Sequence, residues 1–216
     1  ADATWLDRAV LRVLTLKFEL GLFDDSFPEW EEYSVSLADT GEAERAATRQ
    51  TLTLTKNEGL LPLRDKNARI AVIGPCAGSL RLLFQVVGDS SKMAGVVQTG
   101  APRPRRKYDL AATDRAVREA CPQAKTVFEA LCARFPHCSW TQGCDYLDPA
   151  SQDIPAACAA ARSADAVVLC LGGKNGWGRH CNTGEGNDSA SLDLPGAQEA
   201  LARAVIAENA NTVVVH

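Results

Sequence analysis

Residues 165–173, Asp-Ala-Val-Val-Leu-Cys-Leu-Gly-Gly (DAVVLCLGG), decide the fold. A strand with one wet face alternates apolar and polar residues. This run is apolar from Ala166 to Leu171 without alternation, which predicts a strand covered on both faces, as in a parallel sheet. Residues 68–75 (ARIAVIGP) and 211–215 (NTVVV) repeat the pattern. Between these runs lie helical patterns at 126–135 (TVFEALCARF), 153–164 (DIPAACAAARSA, with Pro155 near its first turn) and 195–210 (PGAQEALARAVIAENA). Residues 138–144 (CSWTQGC) supply a further candidate strand. Strands alternating with helices predict βαβ units and a parallel sheet. Such sheets bind ligands outside the carboxyl ends of their strands, and the loop that begins at Gly172 leaves from one of those ends.

Upstream the character differs. Residues 4–20 (TWLDRAVLRVLTLKFEL) have helical periodicity, with Trp5, Val10, Val13, Leu14, Leu16, Phe18 and Leu20 on a broad apolar face. Thr4 and Asp7 read as a capping-box start with Asp in place of Glu, and Gly21 as the stop. An irregular, partly acidic stretch follows, then a helical pattern over 41–54. Residues 55–67 (TKNEGLLPLRDKN) read as a connector with turn residues Asn57, Gly59 and Pro62, in which Lys56 and Glu58 are structural. Residues 84–113 fit the strand–helix alternation poorly and read as an excursion.

Bulk properties narrow the function. The 216 residues are 46% hydrophobic and 23% charged, ordinary for a globular protein. The net charge of -4 argues against nucleic-acid binding, which needs phosphates neutralised. The one basic cluster, Arg103, Arg105, Arg106 and Lys107, sits among prolines and reads as a solvated loop. No apolar run approaches the ~20 residues of a membrane helix. No Met precedes Ala1, and the chain stops inside a strand pattern, so it reads as a processed, excised or partial chain. The eight cysteines show no CxxC pair and no Cys/His metal spacing, so no metal is expected, and no motif asks for a cofactor. Cys158 and Cys170 sit in apolar patterns and read as buried thiols. Cys138, Cys144 and Cys181 lie in or near loops and are open to bridging if the protein is exported.

The loop from Gly172 to Leu201 (GGKNGWGRHCNTGEGNDSASLDLPGAQEAL) invites a nucleotide reading, as does IGPCAGS at 73–79. Neither carries GxGxxG or the GK[ST] ending of a P-loop. Those motifs also need a helix N-terminus directly after the glycines, and here the next helical pattern begins only near Pro195.

Four ordered stretches carry a resemblance instead. Residues 9–24 (AVLRVLTLKFELGLFD), 54–63 (LTKNEGLLPL), 70–75 (IAVIGP) and 184–201 (GEGNDSASLDLPGAQEAL) are together similar to glycoside hydrolase family three, the β-glucosidase and β-xylosidase family. The resemblance implies a three-layer α/β sandwich with a mostly parallel sheet. It implies that a helix and linker left over from a (β/α)8 barrel domain precede it. On that reading residues 1–25 are the last helix and exit of the barrel, 26–67 a linker with a helix, and 68–216 the sandwich domain. In that family the active site lies between the domains, the barrel supplies a nucleophilic Asp, and a loop of the second domain supplies the general acid/base. The matching position here is Glu185. Ser189 stands where the family often carries Arg after the Asp, which is Asp188 here.

A retaining glycosidase needs two carboxyls about 5 Å apart, one to attack and one to protonate the leaving oxygen. Glu185, on a long glycine-flanked loop, is placed to reach across to another domain. Asp188 either caps the loop or the helix entry or meets a sugar hydroxyl. Trp177 either anchors the loop or offers a flat face to a sugar ring. His180 is either a surface residue or a hydroxyl partner. The implied substrate is a β-linked oligosaccharide or glycoside cleaved at its terminal non-reducing sugar, and the implied partner is the barrel, in the same protein or complex. One carboxylate cannot run a double displacement, so the chain alone is expected to be inactive. The competing expectation is a non-catalytic structural or carbohydrate-binding subunit of the same fold. The resemblance and the cysteine count point to a secreted or periplasmic location.

Overall fold

A computed structural model describes residues 3–24, 41–80, 114–115, 117–119, 121–175, 181–184 and 188–216. The acidic stretch, the expected excursion and the basic cluster thus fall largely or wholly outside the described residues. The chain divides into two compact units, Ala1–Lys56 and Asn57–His216.

Among the described residues the second unit is built on four strands, β1 (Ile70–Ile73), β2 (Cys138–Thr141), β3 (Ala166–Cys170) and β4 (Thr212–Val215). They form one sheet in the order β2-β1-β3-β4, and every pairing is parallel. The register sets Val72 beside both Trp140 and Val168, and Val167 beside Thr212. The two inner strands, β1 and β3, are apolar throughout, and every residue in them is buried. The edge strands are only partly covered, and β2 buries none of its four residues.

Strand pleating divides the inner residues between two cores. Ala71, Ile73, Val167 and Leu169 point to one face, where they meet Ala157 and Ala161 of α4 (Ile154–Ser163) and Leu201 and Val205 of α5 (Gln198–Glu208). Ile70, Val72, Ala166, Val168 and Cys170 point to the other face. There they meet Ala77, Phe135 and, from α3 (Val127–Cys132), Val127, Phe128 and Leu131. Helices therefore cover both faces, and the unit is a three-layer α/β sandwich with a parallel sheet. Each large apolar side chain buried in this way stabilises the fold by about 1.5–3 kcal/mol.

Local chemistry sets the helix ends. Thr126 and Glu129 form a complete capping box on α3, each side chain bonding the other's backbone N–H. Arg118 meets Glu129 at 2.6 Å, and the Thr126 backbone bond together with Arg118 holds the Glu129 carboxyl below its usual range. Asp153 caps α4 by accepting from the Ala156 N–H, with Pro155 in the first turn, where its missing donor costs nothing. At the amino end of the sheet, Arg69 pairs with Asp165 at 2.6 Å and draws its carboxyl down to about 2. At the carboxyl end, Gly74 has φ 117°, and a Cβ there would overlap the Cys170 carbonyl oxygen. Only glycine lets β1 and β3 stay this close where they end.

In the first unit, α1 (Ala3–Glu19) begins one residue ahead of Thr4, which therefore sits in the first turn rather than at the cap. Its end follows expectation. Gly21 takes φ 68°, its N–H bonds the Phe18 carbonyl, and the Leu22 N–H bonds the Lys17 carbonyl, a complete Schellman motif. None of the 17 residues of α1 is buried. The second helix, α2 (Gly41–Thr51), stops three residues short of the expected end. Residues 51–55 read Thr-Leu-Thr-Leu-Thr, and β-branched residues at alternate positions resist helical χ1 and favour extended backbone.

Candidate functional site

The loop after β3 leaves from the carboxyl end of the sheet. Its two ends are tied together by one side chain. Gln198, fully buried at the start of α5, accepts from the Gly172 N–H at 2.9 Å and donates back to the Gly172 carbonyl at 2.9 Å. Its second amide hydrogen goes to the Tyr146 carbonyl at 3.1 Å, on the connection between β2 and α4. A buried amide left unbonded costs about 1–3 kcal/mol, so an amide with its oxygen and both hydrogens engaged is a strong positional constraint.

A second tie sits just above the first. The Asn182 side chain accepts from the Lys174 backbone N–H, while the Asn182 backbone N–H donates to the Lys174 carbonyl at 3.0 Å. Asn175 and Thr183 form a parallel bridge beside them. The Lys174 side chain is fully buried, with its ammonium donating to the Asn175 carbonyl at 3.3 Å. The loop is thus held at its base by Gly172–Gln198 and again by Lys174–Asn182.

The candidate residues stand unevenly against this frame. Trp177 and His180 fall between Asn175 and Cys181, Glu185 follows Gly184, and all three lie outside the described residues. Asp188 is described and exposed. It does not cap α5, whose N-cap is Ala197 with no side-chain bond. Beyond Asp188 the chain turns through Ser191, whose hydroxyl donates to Asp193 at 2.5 Å and accepts from the Asp193 N–H at 3.1 Å. The residues that build the neck, Lys174, Asn182 and Gln198, were not candidates from the sequence. Gln198 had a signal, the LPGAQ helix start; Lys174 had none, because a Lys in a polar loop reads as solvated.

The cysteines are all thiols. Cys144, Cys158, Cys170 and Cys181 are buried, which matches the sequence reading for Cys158 and Cys170. Burial pushes Cys76 and Cys144 up to about 11 and Cys170 to about 12, so these thiols keep their protons at neutral pH and are poor nucleophiles. Among the described residues no group of three or more His, Cys, Asp or Glu is placed to hold a metal, and no helix is long and apolar enough to cross a membrane.

Comparison with known proteins adds the family. The model of the glycosyl hydrolase family 3 C-terminal domain matches residues 52–216. A beta-xylosidase of Formosa agariphila is 29% identical over 98% of this chain, which covers 26% of that protein. A probable beta-D-xylosidase 6 of Arabidopsis thaliana is 28% identical over 97% of the chain and 23% of its own length. A beta-glucosidase from Listeria innocua, solved in complex with glucose, matches with a TM-score of 0.61 at 26% identity, over 99% of this chain and 25% of that one. The chain thus spans about a quarter of the length of these three proteins.

Proposed function

The chain belongs to glycoside hydrolase family 3, and from that premise we propose that it forms part of a retaining β-glycosidase, with Glu185 as the general acid/base. The observation that most supports this reading is the clamp of Gln198 on Gly172. It fixes both ends of the Glu185 loop at the carboxyl end of a parallel sheet, where such folds bind ligands.

In the proposed cycle a carboxylate from a (β/α)8 barrel attacks the anomeric carbon while Glu185 gives its proton to the departing oxygen. Glu185 then takes a proton from the water that breaks the glycosyl–enzyme bond. The first step requires a protonated carboxyl near neutral pH, which burial or a negative neighbour at the domain junction supplies. Trp177 stacks on a sugar ring, and His180 and Asp188 bond hydroxyls. The substrate class is a β-linked oligosaccharide or glycoside cleaved at its non-reducing end, in keeping with relatives named beta-xylosidase and beta-glucosidase. The nucleophile lies on the barrel, in the same protein or complex, so this chain alone does not turn over. The exposed apolar face of α1 is the natural place for barrel residues to cover.

The test pairs this chain with its barrel and compares the wild type with Glu185→Gln on aryl β-xylosides and β-glucosides. We expect turnover to fall by about 10²–10⁴, with added azide restoring part of the rate by replacing the base-assisted water. Unchanged turnover would remove Glu185 from the mechanism and favour a structural or carbohydrate-binding subunit.

A further inference from the structure

Cys132 is the last residue of α3 and Cys138 the first of β2, with five residues between them. Both ends of this connection are fixed. Val127, Phe128 and Leu131 pack α3 onto the sheet, and β2 is registered on β1 with Cys138 opposite Ile70. Between them Phe135 is buried in the core, its N–H bonds the Leu131 carbonyl at 2.8 Å, and the His137 carbonyl accepts from the Ile70 N–H at 2.8 Å. The Cys132 sulfur lies 3.9 Å from the Cys138 carbonyl oxygen, which sets the Cys132 thiol against the main chain of Cys138. Both are half-buried. Nothing in glycoside hydrolysis uses them.

We propose that Cys132 and Cys138 are a redox pair that closes to a disulfide by exchange with a small-molecule disulfide, tying α3 to the β2 edge of the sheet. In the first step the Cys132 thiolate attacks one sulfur of oxidised glutathione, breaking its S–S bond and releasing one glutathione thiolate. In the second, the Cys138 thiolate attacks the Cys132 sulfur of the mixed disulfide, forming the Cys132–Cys138 bond and releasing the second glutathione. Two protein thiols are oxidised, one external disulfide is reduced, and the two thiol protons end on the two glutathione molecules. Burial, first, and the adjacent Cys132 push the Cys138 thiol up, and capping of Cys132 removes the second of these. Exchange that starts at either thiol ends in the same bridge. The bridge constrains the unfolded chain and is expected to raise Tm by about 5 °C.

The proposal is independent of the glycosidase reading, and its test needs no substrate. The chain is equilibrated with oxidised glutathione, alkylated with iodoacetamide and cut with trypsin, which cleaves at Arg134 between the two cysteines. We expect peptides 126–134 and 135–162 to be linked, with fragmentation placing the link at Cys138 rather than Cys144 or Cys158. Cys144→Ser keeps the link; Cys132→Ser abolishes both the link and the oxidation-dependent rise in Tm. In denaturant the preference for Cys138 is lost. Full alkylation of Cys132 and Cys138 under oxidised glutathione, or a link from Cys132 to another cysteine, overturns the proposal. The same selectivity in denaturant also overturns it, since short sequence spacing would then be the cause.

Discussion

β3 and α1 are both rich in large apolar residues, and their surroundings are opposite. All five residues of β3 are buried, between α3 on one face and α4 and α5 on the other. No residue of α1 is buried, and Trp5, Leu11, Val13, Leu16 and Phe18 each expose more than half their surface. The strand finds its cover within its own unit because βαβ crossovers bring helices to both faces of the sheet. The helix has a well-formed stop at Gly21, and Phe18 stacks against Phe23 just beyond it at 4.4 Å between ring centroids, yet among the described residues nothing buries its apolar face. The difference teaches that apolar content alone does not say whether a segment's cover lies within its own unit.

Three experiments bear on that contrast. The largest effect should come from the buried side. Leu169→Ala removes most of a fully buried side chain from an inner strand and should cost about 2–5 kcal/mol, read from urea denaturation of residues 57–216. A cost below 1 kcal/mol would mean that β3 is not the centre of the core. Next is the neck above β3. Gln198→Leu keeps volume but leaves the Gly172 N–H and carbonyl and the Tyr146 carbonyl without their partner, at about 2–3 kcal/mol. It should also speed proteolytic nicking between Gly172 and Gln198. Intact resistance would show that Lys174 and Asn182 hold the loop unaided. The smallest effect belongs to α1. Leu14→Gln should stay within about 0.5 kcal/mol in the chain alone, and, if the proposed barrel covers this face, should weaken capture of the barrel in a pull-down. A large loss of stability in the isolated chain would mean that α1 already has a covering partner and would collapse the contrast.

Much of the fold was legible because burial on both faces writes itself as an unbroken apolar run. Residues 70–73 and 166–170 could be read directly. The edge strand β2 was harder, since Cys-Ser-Trp-Thr mixes polar and apolar residues as a half-covered strand must. The end of α2 was misjudged because charged residues set the helical pattern while the Thr-Leu alternation past Thr51 already favoured extended backbone. At the candidate site, the proposal for Glu185 rests on family resemblance alone, since an isolated carboxylate in a glycine-rich loop has no pattern of its own. The neck was least legible. Gln198 and Asn182 act on main-chain atoms of distant residues, and no local spacing encodes a bond across 26 positions.

Every bond made by the Gln198 side chain goes to backbone, to Gly172 and Tyr146. The clamp therefore recognises the path of the chain and is indifferent to the side chains between its ends. A loop seated in this way behaves as an interchangeable cartridge. Positions between the ends that join neither the Lys174–Asn182 tie nor the core, such as the exposed Asp188 and Leu192, can be rewritten with the sandwich beneath undisturbed so long as position 198 keeps its amide.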